Sequence, residues 1–268
     1  MKSISDVADI YMPEGITRTS QTKASNTKRV LLVGAAGSGK SWSAVTFPNP
    51  FILDYDNNLQ HSHFRNLDIP TIPCYNTRTT SEIKIGPRKY VDAREWIIQW
   101  LAQEGNKFTE RQTIILDSLT GLSDIVRIAY EKEIPTSKSG ADDKFWFWRM
   151  WAAYFRELFS ALRDLPCNVV VIMHENEMRD AETNRVASVK PLLQGQEFSP
   201  RIPSFFTDVY RQLAIPKESN IQLKPGTKSA MQYWWQIKSD RKFDAARTTI
   251  VTDDMLVPAT YESFGNGE

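Results

Sequence analysis

The sequence has little cysteine, no long apolar run and almost no net charge. Its 268 residues include two cysteines, Cys74 and Cys167, which are too few and too far apart for a disulfide framework or a four-ligand zinc module. No run of about 18 apolar residues is present and no charged-then-apolar signal follows Met1, so we expect neither a membrane span nor secretion. We therefore expect a protein of the reducing cytoplasm.

The charges of the chain nearly cancel. Thirty-three Lys and Arg stand against 32 Asp and Glu, for a formal charge of +1, so no global field draws the protein onto nucleic acid or anionic lipid. The balance is uneven, because residues 179–247 hold 12 Lys or Arg against 7 Asp or Glu. Binding to a polyanion must be local, and the last third of the chain is the basic part.

Short apolar runs alternate with segments of helical periodicity. The runs predict buried strands at 29–33, 51–53, 113–116 and 168–173, and apolar residues at helical spacing predict helices at 90–104, 119–134 and 145–165. Further strands are predicted at 207–214, 230–237 and 248–251. Strands that alternate with helices imply βαβ crossovers, so the sequence predicts an α/β fold with a mostly parallel central sheet, flanking helices and a C-terminal β extension.

Residues 34–41, GAAGSGKS, match the full G-x-x-x-x-G-K-[ST] phosphate-loop pattern between a predicted strand and a predicted helix. Glycines let the loop backbone approach a phosphate closely, Lys40 reaches the β- and γ-phosphates, and the Ser41 hydroxyl is a ligand for Mg²⁺. The pattern therefore predicts ATP and Mg²⁺ as ligands. The candidate nucleotide-binding residues are Gly34, Gly37, Ser38, Gly39, Lys40, Ser41 and Trp42.

Acidic residues follow two of the predicted strands. Asp117 ends an apolar strand, which is the Walker B arrangement of a second metal-binding residue, although an N-cap for the following helix is an alternative. Asp54 and Asp56 end another strand. Hydrolysis needs a group that orients or deprotonates water, and we favour Asp56 as that base with Asp54 as support, while the reverse assignment and a pair of turn-forming acids stay open.

His174 directly follows the strand 168–173, at the same predicted sheet edge as the phosphate loop. A polar residue at this place can contact the γ-phosphate and transmit hydrolysis to the long polar connection 175–203 behind it. The alternative is a strand-end histidine satisfied by solvent or backbone. We count His174 among the candidate catalytic residues, with Lys40, Asp56 and Asp117.

This order of motifs resembles the RecA-like ATPase core. The segment ILDYDNN is similar to the RecA stretch in which a catalytic glutamate follows the second strand, and Asp56 occupies that position with a shorter side chain. IILDSLTGL is similar to the RecA Walker B stretch. The polar loops 135–144 and after His174 fall where RecA carries its two DNA-binding loops. The resemblance implies a division into an N-terminal arm (1–27), a RecA-like ATPase domain (28–252) and a C-terminal tail (253–268).

Within that superfamily the chain is similar to phage-encoded RecA-like ATPases of the Sak-type recombination group. The similar segments are LRDLPCNVVVIMHE, VKPLLQGQEFSPRIPSFFTDVYRQ and WWQIKSDRKFDAAR. The resemblance implies an oligomer, a ring or a filament, in the host cytoplasm that binds single-stranded DNA for annealing or strand exchange, with a single-strand binding protein as a further partner. It implies fingers to the neighbour's ATP from Lys238 and Arg241, with a solvated basic turn as the alternative. The basic excess of the last third predicts DNA contacts from Arg179, Arg185 and Lys190.

Two alternatives stay open at this point. A nucleotide-dependent switch or chaperone for a phage replication or structural protein would need the same phosphate loop without DNA contact. The aromatic cluster of Phe145, Trp146, Phe147, Trp148 and Trp151 fits base stacking, although its helical spacing favours core or subunit interface.

Overall fold

The structure is a computed structural model. It describes residues 26–59, 64, 66–75, 83–85, 88–90, 94–136, 143–193, 199–216 and 231–265. Residues 1–25 of the predicted arm lie outside the described residues. The same holds for residues 137–142 of the first polar loop and residues 266–268 of the predicted tail.

Eleven strands and four α-helices are found among the described residues. The strands are β1 Arg29–Gly34, β2 Pro50–Asp54, β3 Thr71–Pro73, β4 Ile83–Ile85, β5 Arg88–Tyr90, β6 Thr113–Asp117, β7 Asn168–Arg179, β8 Val186–Pro191, β9 Asp208–Pro216, β10 Met231–Gln236 and β11 Leu256–Pro258. The helices are α1 Lys40–Ala44, α2 Glu95–Glu104, α3 Leu119–Glu131 and α4 Lys144–Arg163. Short 3-10 turns lie at Gly105–Lys107, Ser199–Phe205 and Tyr261–Phe264.

The main sheet has the strand order β11-β10-β9-β1-β7-β6-β2-β3. Strands β9, β1, β7, β6, β2 and β3 run parallel to one another, while β10 pairs antiparallel with both β9 and β11. The predicted fold class, a mostly parallel sheet with a C-terminal β extension, is confirmed. The carboxyl ends of β1, β7, β6 and β2 meet at one edge, as Gly34 pairs with His174 and Asp54 with Asp117.

Both faces of the sheet are covered. Leu31 and Val33 of β1 pack in the larger core with α2, α3 and α4, whereas Val30 and Leu32 pack in a second core with α1 and the C-terminal aromatic residues. This alternation explains why β1 is apolar throughout, since each face of a central parallel strand needs its own apolar side chains. Within the described part of the chain no helix has both the length and the apolarity needed to cross a bilayer.

The segment after His174 is a hairpin rather than a loop. Strand β7 continues past the sheet edge to Arg179 and pairs antiparallel with β8, with Glu175 opposite Pro191 and Met178 opposite Ser188. The prediction of a long irregular connection over 175–203 was therefore wrong for this part. Residues 176–179 are polar or exposed, so they carry no apolar alternation that would signal a strand.

The prediction of a strand at 248–251 was also wrong. The backbone N–H groups here bond to side chains instead: that of Ile250 donates to Thr248 Oγ1 at 2.9 Å, and that of Thr249 donates to buried Asp208 at 2.6 Å. Such side-chain bonds compete with a strand ladder. The last strand is β11, and Phe264 packs against Phe47 beyond it, so residues 256–264 of the predicted tail are part of the packed structure.

Candidate nucleotide-binding site

The phosphate loop connects β1 to α1 at the carboxyl edge of the sheet. Gly37 and Gly39 adopt φ angles of +75° and +86°, which only glycine adopts without strain. Lys40 is buried, and its Nζ donates to the carbonyl oxygens of Gly34 at 2.8 Å and Ala35 at 2.7 Å. These bonds hold the ammonium group against the loop, and burial lowers its pKa.

Tyr233 of β10 lies directly over the loop. A Cβ atom built on Gly39 would stand 2.5 Å from Cδ1 of the Tyr233 ring, so the loop backbone and this ring are in close contact. Tyr233 is not among the residues predicted from the sequence. Its position depends on the pairing of β10 with β9, in which Tyr233 stands opposite Ala214, and no local pattern reveals that register.

The contact with Tyr233 predicts different costs for alanine at two glycines of the loop. Gly37 has open space around its missing Cβ, so Gly37→Ala should lose only about 1 kcal/mol of stability through its positive φ. Gly39→Ala adds the clash with Tyr233 and should cost at least about 2 kcal/mol. Urea unfolding of the single variants, repeated in a Tyr233→Ala background, should show the excess cost at Gly39 disappear. Equal costs in both backgrounds would contradict the close approach.

Asp117 ends β6 and contacts the first helical turn after the phosphate loop. The Ser41 hydroxyl donates to Asp117 Oδ2 at 2.5 Å. The N-cap of α3 is Ser118, whose side chain accepts the Gly121 N–H at 3.0 Å. The alternative in which Asp117 is the N-cap is therefore wrong. Asp117 is therefore available to the pocket.

The donor set of Ser41 and Asp117 fits a magnesium ion. Hydroxyl and carboxylate oxygens are the ligands that Mg²⁺ takes from proteins when phosphate oxygens and waters supply the rest. Asp117 is 2% exposed, and burial raises its pKa to about 7, with Asp56 and Asp54 adding to the rise and Ser41 and Lys40 opposing it. A carboxyl group in that environment favours a cation beside it.

Asp56 and His174 meet on the other side of the pocket. His174 Nε2 lies 3.3 Å from Asp56 Oδ2, and both side chains are partly exposed. The backbone of His174 is fixed by α3, because its N–H donates to Thr120 Oγ1 at 3.1 Å. The histidine therefore joins the acid after β2 to the strand that continues into the hairpin.

Asp54 has a different environment from Asp56. It is 2% exposed, and its Oδ1 accepts the backbone N–H groups of Asp56 at 3.2 Å and Asn57 at 2.8 Å. Burial raises its pKa, while these hydrogen bonds lower it. Asp54 thus holds the turn that presents Asp56.

These groups surround one open cavity of about 870 Å³, which is large enough for a nucleotide. Trp42 and Phe64 meet edge to face in its wall, with ring centroids 6.0 Å apart. Phe64, Asn58 and Tyr233 were not identified from the sequence. The lining residues are Ala36, Gly37, Gly39, Lys40, Ser41, Trp42, Asp56, Asn58, Phe64, Asp117, His174 and Tyr233.

The remaining candidate residues lie away from this cavity. Arg179 and Arg185 are exposed near the tip of the β7–β8 hairpin, where Arg179 pairs with Glu177 at 2.6 Å. Lys190 is exposed near the end of β8. Lys238 and the exposed Arg241 lie on the turn after β10, and this turn is bound to the hairpin by a hydrogen bond from Val189 N–H to the Lys242 carbonyl.

A phosphate loop, a strand-end aspartate bound to its serine, and a polar pair across the cavity define a P-loop nucleotide-binding site. The sequence profile described as AAA domain matches residues 26–228, so the chain belongs to this family and carries a P-loop ATPase domain. A search of curated proteins finds no significant match.

The solved structures that match this chain are only distantly similar to it. The RadB recombinase is 11% identical with a TM-score of 0.34, covering 78% of this chain and 87% of its own. FlaH, a flagellar accessory protein of Methanocaldococcus jannaschii, is 11% identical with a TM-score of 0.37, covering 86% and 84%. A type III secretion ATPase of pathogenic bacteria is 10% identical with a TM-score of 0.38; the match covers 69% of this chain and spans half the length of that ATPase.

Proposed function

We propose that this protein binds ATP with Mg²⁺ and hydrolyses the bond between the β- and γ-phosphates of ATP. The observation that carries the proposal is that Lys40, Ser41, Asp117, Asp56 and His174 line a single cavity although they come from four different strand ends. A purely structural role for these polar groups would not require them to face the same open space.

Each of these residues has a separate role in the proposed hydrolysis. The loop backbone and Lys40 bind the phosphates, and Ser41 and Asp117 would hold Mg²⁺, which neutralises charge that develops on the phosphate oxygens. Asp56 accepts a proton from, or orients, the attacking water. His174, hydrogen-bonded to Asp56, positions that carboxylate and contacts the γ-phosphate side of the cavity.

We further propose that the ATPase is a phage recombination protein of the Sak-type group that acts on single-stranded DNA in the host cytoplasm. The support is the resemblance of the motifs and the way β7 passes from the cavity into the hairpin. His174 lines the cavity, and five residues later the same strand reaches Arg179. Arg185 and Lys190 follow on the hairpin, so a polyanion bound there is mechanically linked to the nucleotide.

The same proposal includes a homo-oligomer, a ring or a filament, in which a neighbouring subunit completes the ATP site. Lys238 and Arg241 do not line the cavity of their own chain, yet they lie on a turn that Lys242 anchors to the hairpin. A cation delivered from a neighbour would stabilise charge on the γ-phosphate in the transition state. A single-strand binding protein is the further partner that the resemblance implies.

The ATPase rate with and without oligo-dT, read beside the size of the protein in solution, tests the proposal. We expect DNA to raise kcat several-fold and ATP with DNA to produce an assembly larger than a monomer. Affinity for DNA should fall steeply with salt, because phosphate contacts release counterions. Hydrolysis that is unchanged by DNA in a protein that stays monomeric would contradict the recombination proposal and favour a nucleotide switch.

A further inference from the structure

Two large aromatic side chains at the start of α4 are exposed. Phe145 is 77% exposed and Trp148 is 43% exposed, whereas Phe147, Trp151 and Phe155 of the same helix are buried in the core. The helix therefore has a well-packed inner side and two rings that its own core does not use. Phe145 and Trp148 are neighbours at i and i+3 of the helix, so they form one apolar patch of the kind that marks a contact with another molecule.

The same side of α4 carries arginines. Arg149 and Arg156 are exposed and follow Phe145 by four and eleven residues, which places all three on one side of a helix. Among the exposed side chains described on α4, Glu157 is the single acid. We call the surface of Phe145, Trp148, Arg149 and Arg156 the outer face of α4.

The N-terminal end of α4, where the outer face begins, lies on the side of the sheet edge that carries the nucleotide cavity. Arg29, the first residue of β1, donates to the carbonyl oxygen of Arg163, so α4 ends at the opposite edge. Nearer the start of the helix, Tyr154 lies close to Tyr55, the residue after β2. Burial raises the pKa of the Tyr55 phenol, and the nearby Tyr154 adds to that rise. The 20-residue helix spans about 30 Å, so Phe145 lies beyond Tyr154 in the direction of the cavity edge.

We propose that the outer face of α4 is a binding surface for single-stranded DNA, which rests on the DNA-binding function proposed above. Phe145 and Trp148 stack on bases, and Arg149 and Arg156 contact phosphates. Single-strand binding surfaces combine these two features, because every base has a face that stacks on an aromatic ring and every nucleotide carries a charge.

The charge of the outer face argues against a symmetric contact between two copies of this face. Such a contact would bring the arginines of one copy close to those of the other, and like charges repel. A polyanion meets the arginines with opposite charge and offers flat apolar bases to the rings. Single-stranded DNA is therefore the partner that matches both the rings and the arginines of the outer face.

Fluorescence anisotropy of labelled oligo-dT with the full-length protein tests this surface. Phe145→Ala and Trp148→Ala should each weaken binding about tenfold, and Trp148→Phe, which keeps a ring, should bind nearly as the parent does. Arg149→Gln with Arg156→Gln should reduce the slope of log affinity against log salt by about 1.4, since each phosphate contact to a single strand contributes about 0.7. Lys107→Gln, an exposed charge after α2, is the control and should change neither value.

The outcomes separate this surface from the proposed function. Parent protein that binds DNA while all outer-face variants bind equally well would overturn the surface and leave the function. Variants that keep their DNA affinity but form smaller assemblies would show a subunit contact and overturn it too. Parent protein that binds no DNA would overturn both. Trp148 also contacts Phe147 and Trp151, whereas Phe145 is 77% exposed, so Phe145→Ala is the variant least affected by a loss of stability.

Discussion

Lys40→Ala is expected to abolish ATP hydrolysis while the protein stays folded. The Lys40 ammonium group is the cation that the phosphate loop holds at the β- and γ-phosphates, and no other Lys or Arg lines the described cavity. Its removal should leave the core intact, because the side chain bonds only to loop carbonyls and because burial already disfavours its charged form. ATP turnover and a urea unfolding curve measure the two effects.

The matched control for this variant is Lys107→Ala. Lys107 is an exposed lysine paired with Glu104 on the 3-10 turn after α2, so its loss also removes one positive charge but none from the cavity. Turnover should stay at the parent level. Normal turnover in a folded Lys40→Ala protein would show that the nucleotide does not bind at this loop.

The sequence was sufficient to predict which strand ends meet around the candidate cavity. The loop pattern is local, and Asp117, Asp56 and His174 each follow a short apolar run. In a parallel sheet the carboxyl ends of strands share an edge, so residues far apart in sequence come together once the strands are recognised. The structure places all three around one cavity, with His174 and Asp56 3.3 Å apart.

The missed features have a common physical cause. The β7–β8 hairpin extends beyond the sheet, where few of its side chains are buried, and a strand without a buried face shows no alternation of apolar and polar residues. Tyr233 reaches the phosphate loop through strand pairing between β10 and β9, which is a non-local contact. Local patterns predict elements and their ends, but they do not predict the register that brings one element over another.

Asp56→Asn is expected to lower kcat at least about 10²-fold while ATP still binds. The substitution keeps the size of the side chain and removes its basicity, and general-base catalysis typically contributes 10²- to 10⁴-fold. Binding should survive because the substitution leaves the phosphate loop, Ser41 and Asp117 unchanged. Single-turnover hydrolysis and binding of a fluorescent ATP analogue distinguish the two effects.

Asp54→Asn is the matched comparison, since it makes the same chemical change two residues earlier. Asp54 is buried and its Oδ1 accepts the N–H groups of Asp56 and Asn57, a role that an asparagine oxygen can take over. Burial raises the pKa of Asp54 and so works against its charge, which limits the cost of removing that charge. We therefore expect Asp54→Asn to keep most of the turnover that Asp56→Asn loses. An active Asp56→Asn protein beside an inactive Asp54→Asn protein would reverse the two assignments, with Asp54 as the base and Asp56 as its support.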